Sequence, residues 1–281
     1  MKITLKKSLE SLVVVLAIMP FLFSFMVNGK ITIKGSDTMV IMSQRWAEAF
    51  MKKNPAITVQ VTGGGSGVGL AALVNGSTDI ANSSRPIKPA ELAKIKQKFG
   101  SNVVEIPCAK DGLSVFLNKT NPVSELSIPQ LSQIFSGKIT NWKEVGGPDA
   151  TIKLYGRESS SGTFEFFKEH VVGTDFAVSC NTLPGTAAIV NAVKKDKYGI
   201  GYGGAAFDEG VKDCKVKKDA KSKGYLPTLQ NINAKKYPIA RYLYMYVKTK
   251  PTGNLKKFVD WTLSAEGQKI CAEVGYFPVK K

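Results

Sequence analysis

The stretch Tyr155-Gly156-Arg157-Glu158-Ser159-Ser160-Ser161-Gly162-Thr163-Phe164 reads as a strand end that passes through a hydroxyl-rich loop into a helix. Ile152 to Tyr155 supplies the strand, and Phe164 to Val171 is amphipathic. Gly162 lets the backbone come close to a neighbour. The hydroxyls of Ser161 and Thr163 point out of the helix start with its free N–H groups. That end carries partial positive charge, which suits a small oxyanion. Arg157 adds a planar donor fork that can hold two oxygens at once. The same residues also fit a capped helix with a solvated arginine, so the choice depends on the rest of the chain.

Three further segments have the same character. Lys30 to Lys34 alternates as a strand with Ile31 and Ile33 on one face, and runs into Gly35-Ser36-Asp37-Thr38. A helix is predicted over Met39 to Lys52, with Ser36 or Asp37 as its N-cap. Ile57 to Val61 is a second strand, followed by the glycine-rich run Thr62 to Gly69 and a short helix, Leu70 to Val74. No Gly-Lys-Ser/Thr closes this loop, so it is not a P-loop; its N–H groups and Ser66 still suit an anion. A third strand near Thr78 to Ser83 breaks into Ser83-Ser84-Arg85-Pro86. Alternating strands and helices predict an α/β fold with mixed, mainly parallel sheets. In such folds ligands sit beyond the carboxyl ends of the strands, where all four segments fall. Their wide separation in sequence predicts a cleft between two lobes.

Elsewhere, Val103–Pro107 and Leu113–Asn118 read as two strands joined by an Asp111-Gly112 turn. Ser127 to Phe135 reads as a helix with Pro129 in its first turn. Asn181 to Thr186 is a polar break, Thr186 to Lys194 a helix and Tyr198 to Tyr202 a short strand. Ala205 to Lys223 is lysine-rich and expected to be exposed. Pro238 to Val247 is an aromatic strand, and Asn254 to Cys271 is predicted as one patterned helix.

The chain has 281 residues, 43% hydrophobic and 22% charged, which are globular values. Its formal net charge of +17 comes from scattered lysines. No basic motif interleaved with aromatics is present, so nucleic acid is not an expected partner. Lys2, Lys6 and Lys7 precede an apolar run from Leu12 to Val27, so residues 1–29 read as an export signal, with an uncleaved membrane anchor as the competing reading. Export permits disulfides among Cys108, Cys180, Cys214 and Cys271, and a Cys180–Cys214 pair is one option. No Cys/His cluster suggests a metal. His170 is the only histidine and nothing marks it as a base, so neither an enzyme nor a cofactor is expected.

The succession Gly35-Ser36-Asp37-Thr38, Gly64 to Gly69, Ser83 to Pro86 and Arg157 to Thr163 resembles the phosphate-binding proteins of high-affinity phosphate ABC transporters. Leu131 to Trp142, Gly199 to Gly203 and Ser264 to Gly267 resemble that family too, so the likeness spans the chain beyond residue 29. It implies the type II periplasmic-binding fold, with lobe one over 30–110 and 238–281 and lobe two over 111–237. It implies a monomeric, exported receptor, periplasmic or at the cell surface, that delivers inorganic phosphate to a membrane permease without catalysis. Carried over by position, Ser36, Thr38, Ser66, Arg157, Ser161, Gly162 and Thr163 would bind the anion, with Ser84 and Arg85 in the third loop. Some members place an aspartate where Ser84 stands, as acceptor for the proton of phosphate. Asp37 is the expected substitute, with Arg85 offsetting its charge. Sulfate or molybdate is the alternative ligand.

Overall fold

The computed structural model describes residues 29–279. The export signal or anchor read from residues 1–29 therefore lies almost wholly outside the described residues. No described helix is long and apolar enough to cross a membrane.

The first half of the chain builds a parallel layer. β1 (Gly29–Gly35) buries Ile31 and Ile33 on one face, as its alternation predicts. It lies between β2 (Ile57–Thr62) and β3 (Ile80–Ser83), parallel to both. The helix between β1 and β2, α1 (Val40–Lys53), buries Met42, Trp46, Ala47 and Phe50 at helical spacing. Its N-terminus differs from expectation: a 3₁₀ turn over Asp37–Met39 comes first, and neither Ser36 nor Asp37 caps it with a side chain. α2 (Ser66–Asn75) follows the glycine loop and α3 (Pro89–Phe99) follows β3.

β4 (Val104–Leu117) is one strand of 14 residues, not two joined by a turn. Gly112 is needed there for close packing, since a Cβ would meet Pro227 Cβ at 2.5 Å and Ile232 Cδ1 at 2.8 Å. The chain continues through β5 (Glu125–Ser127), α4 (Ile128–Phe135), β6 (Lys153–Arg157) and α5 (Gly162–Phe167). Ser127 caps α4, with Pro129 in its first turn. The expected polar break holds a short strand, β7 (Asn181–Leu183), before α6 (Gly185–Lys195) and β8 (Gly199–Gly204). The lysine-rich stretch also forms structure: β9 (Lys212–Asp213) pairs with β4 and β10 (Lys215–Lys217) with β5, and Val211, Cys214 and Val216 are buried.

After α7 (Leu229–Asn233), β11 (Ala240–Val247) returns the chain beside β4. The predicted C-terminal helix is two, α8 (Gly253–Thr262) and α9 (Ala265–Glu273), because Ser264 Oγ accepts from Gly267 N and starts a new helix.

The main sheet runs β2-β1-β3-β11-β4-β8-β6-β7, with β9 on β4. Its antiparallel pairings all involve β4 or β11, in the middle of that order; the flanks are parallel. One apolar cluster gathers Ile31, Trp46, Ala109, Leu243 and Phe258. Another gathers Leu113, Phe135, Phe167, Tyr202 and Ile239. β4 and β11 contribute to both, so they are the strands that join the two bodies of the fold. All four cysteines are free thiols, and the optional Cys180–Cys214 bond is not formed.

Candidate functional site

The four hydroxyl-rich segments meet where the two bodies face each other. Thr38 Oγ1 from the 3₁₀ turn lies 3.0 Å from Thr163 Oγ1 at the start of α5. Thr163 Oγ1 lies 3.5 Å from Ser84 Oγ, which is 3.3 Å from Ser66 Oγ. Thr38, Ser66, Ser84 and Thr163 are each at most 1% exposed. Residues from three separate loops of one body thus form a continuous hydroxyl row with a residue of the other. Each hydroxyl can donate or accept, so the row can turn its protons toward an oxyanion. Gly162 enters without a side chain: a Cβ there would stand 2.3 Å from Ser66 Oγ and 2.8 Å from Ser84 Oγ.

Arg157, at the end of β6, is 2% exposed. Nε and Nη2 donate to Glu158, Nη2 also to Asp37 Oδ2 at 2.8 Å, and Nη1 to Thr186 Oγ1. A guanidinium has five N–H donors, so these four bonds leave one on Nη1. Burial works against ionisation of Glu158, but the hydrogen bond and charge of Arg157 hold its carboxyl below the usual range.

The remaining expected site residues divide by their partners. Ser161 Oγ caps α5 by accepting from Phe164 N. Ser36 is buried and its Oγ has no hydrogen-bond partner among the described residues. Asp37 is engaged on both oxygens, Oδ1 by Gly64 N at 2.8 Å and Oδ2 by Arg157. The carboxylate expected to receive a ligand proton thus positions Arg157 and the glycine loop. Arg85 donates to both carboxylate oxygens of Glu91 and to Pro86 O, and its Nε lies 2.6 Å from Glu165 Oε2. It does not pair with Asp37, the carboxylate it was expected to offset. The two bodies also bond through their backbones, Gly67 N donating to Ser160 O at 2.9 Å.

Two residues that adjoin the row were not singled out in the sequence. Arg241 Nη2 donates to Thr163 Oγ1 at 2.9 Å and to Asp111 Oδ2 at 2.8 Å. Asp111, with Gly112, has the local chemistry of a turn, which hides this role. The sequence does carry a signal for Arg241: it shares the inward phase of Ile239, Leu243 and Met245, where a charge needs a partner. His170 lies against Phe166, its ring stacked at 4.1 Å, and takes no part in the row.

Neither body completes the hydroxyl row alone, and two strands join them: this is the arrangement of a two-lobed solute-binding protein. The chain belongs to the PBP superfamily, whose domain matches residues 27–266. It is 31% identical over 271 residues to the phosphate-binding protein PstS of Pseudomonas aeruginosa, covering 90% of this chain and 84% of that protein. A chain from Clostridium perfringens, assigned as a phosphate ABC transporter substrate-binding protein and solved with bound phosphate, superposes with a TM-score of 0.81. It shares 32% identity over 89% of this chain and 100% of that one. An ABC-type phosphate transport receptor from Vibrio cholerae superposes with a TM-score of 0.71, at 28% identity over 89% of this chain and 99% of that one.

Proposed function

We propose that this protein is an exported receptor that captures inorganic phosphate between its lobes and presents it to an ABC-transporter permease, without a catalytic step. The observation that carries this reading is the buried row Thr38–Thr163–Ser84–Ser66 beside Arg157. A dry row of donors supplies what an oxyanion loses on leaving water. The similarity to receptors named for phosphate, one of them solved with phosphate bound, supports the same ligand. In this reading lobe one is 30–110 with 238–281, and lobe two is 111–237. Thr38, Ser66, Ser84 and Thr163 bind through hydroxyls, Gly162 through its N–H and Arg157 through its free N–H, while Ser36 and Ser161 complete the loops. Asp37 and Arg85 hold those parts in place. The site draws on one chain, in keeping with a monomer.

One observation favours a second ligand class. The hydroxyl row itself contains no carboxylate, and such a row also suits a fully deprotonated anion such as sulfate. Calorimetric titration of residues 30–281 with phosphate, repeated in excess sulfate, separates the two. Tight binding of one phosphate that sulfate does not disturb is the expected result; displacement by sulfate would overturn it.

A further inference from the structure

Phosphate near neutral pH keeps at least one proton and sulfate has none, so a receptor that separates them needs an acceptor facing the anion. Four carboxylates lie around the hydroxyl row. Asp37 has both oxygens engaged by Gly64 N and Arg157. Glu158 has both on Arg157. Glu165 Oε2 lies between Arg85 Nε at 2.6 Å and Lys88 Nζ at 2.8 Å.

Asp111 is different. It is fully buried, Arg241 holds its Oδ2 through Nε and Nη2, and Oδ1 meets no side-chain donor among the described residues, the backbone N–H of Ala205 being the other donor toward this carboxylate. Oδ1 lies no more than about 6 Å from the Thr38 side chain, since a Cβ built on Gly204 would be 3.1 Å from Thr38 Cγ2 and 3.2 Å from Asp111 Oδ1. Oδ2 reaches the row through Arg241 Nη2, which donates to both it and Thr163 Oγ1. Burial pushes the Asp111 carboxyl above its ordinary value, with the charge and hydrogen bonds of Arg241 and the backbone N–H of Ala205 opposing this.

Arg241 is the partner of Asp111 and also reaches the row. Its side chain is 2% exposed, its guanidinium packs over the Phe166 ring at 5.3 Å, and Nη2 already donates to Thr163 of the row. Nη1 has no partner among the described residues, so two buried N–H groups are free there, against one on Arg157. Leaving such donors unsatisfied in a dry interior is unfavourable, and an oxyanion beside Thr163 would satisfy them. The two residues are direct partners in the β4–β11 ladder, two residues before β4 begins to pair with β8.

We propose that the Asp111–Arg241 pair is part of the anion site: Arg241 Nη1 donates to an oxygen of bound phosphate, and Asp111 Oδ1 accepts the proton that phosphate carries and sulfate lacks. This rests on the phosphate reading above. The strands that join the lobes then contribute ligand groups themselves, so the specificity element sits at the hinge and not on a closing loop.

The test is calorimetry of the purified exported protein with inorganic phosphate, alone and in excess sulfate. Asp111→Asn is expected to bind phosphate at least tenfold more weakly and to let sulfate compete, a change that a merely structural role would not produce. Because Asp111→Asn strands the Arg241 charge inside the fold, Asp111→Asn/Arg241→Gln removes both charges together. It is expected to keep the wild-type circular dichroism and lose at least a hundredfold in phosphate affinity. Wild-type affinity with intact sulfate rejection in either variant overturns the proposal and leaves the phosphate reading standing. A wild type that binds no phosphate removes that reading, and this proposal with it.

Discussion

The Gly162 backbone faces Ser66 so closely that no side chain fits between the lobes at that point: a Cβ would lie 2.3 Å from the Ser66 hydroxyl oxygen. Gly162 has no left-handed backbone to strain, so Gly162→Ala affects the approach of the lobes and not the local turn. The expected outcome is a loss of about tenfold or more in phosphate affinity, equivalent to about 1.4 kcal/mol. Thermal unfolding without ligand should change little, because the open lobes can accommodate the methyl group. Calorimetry beside a melting curve checks both parts.

Asp37 holds Arg157 and the glycine loop through separate oxygens. Asp37→Asn should therefore weaken phosphate binding, by about three- to tenfold for one weakened charge-assisted bond. The preference for phosphate over sulfate should stay at the wild-type value. A lost preference in the competition titration would return Asp37 to the role of proton acceptor.

Glu165 on α5 reaches Arg85 and Lys88 of the facing body. Its side chain is 22% exposed, so solvent screens the pair and the contact is worth about 1 kcal/mol. Glu165→Gln is expected to shift the unliganded protein toward an open form and to weaken phosphate binding about fivefold. Small-angle scattering with and without phosphate reads the first effect, and calorimetry the second.

Burial pushes the Asp213 carboxyl up to about 6, although Ser114 Oγ donates to it. In the unfolded chain it titrates near ~3.9. Between about pH 4 and 6 the folded protein keeps a proton that the unfolded chain has released, so this group's contribution falls as pH rises and stays lower above that window. Asp213→Asn should stabilise the protein by up to about 3 kcal/mol at pH 7 and by almost nothing at pH 4. Urea unfolding of both proteins across that range measures the difference.

Gly112 faces Pro227 and Ile232, with no room for a methyl group. Gly112→Ala should cost about 1–3 kcal/mol through overpacking. The same urea series at pH 7 gives this value, and an unchanged midpoint would mean that Pro227 and Ile232 can move aside.

The sequence by itself determined the strand-loop-helix units and the hydroxyl-bearing loops. Ile31 and Ile33 alternate, Met42, Trp46 and Phe50 repeat at helical spacing, and Ser127 precedes Pro129 and Gln130; each is a local rule that acts within a few residues. The family likeness, carried by four separated motifs, was legible for the same reason. Tertiary structure alone decided what those motifs touch. Asp111-Gly112 has the chemistry of a turn, yet β11 pairs with β4 there and β8 pairs with it from Leu113 onward, which keeps it extended. Asp37 had the position of a cap, but Gly64 and Arg157 from distant segments claim it; Arg85 had that of a site cation, but nearby Glu91 and distant Glu165 claim it. Arg241 and Asp111 are separated by 130 residues. A buried charge must find its counter-ion wherever the folded chain brings one, and sequence spacing carries no record of which partner that is.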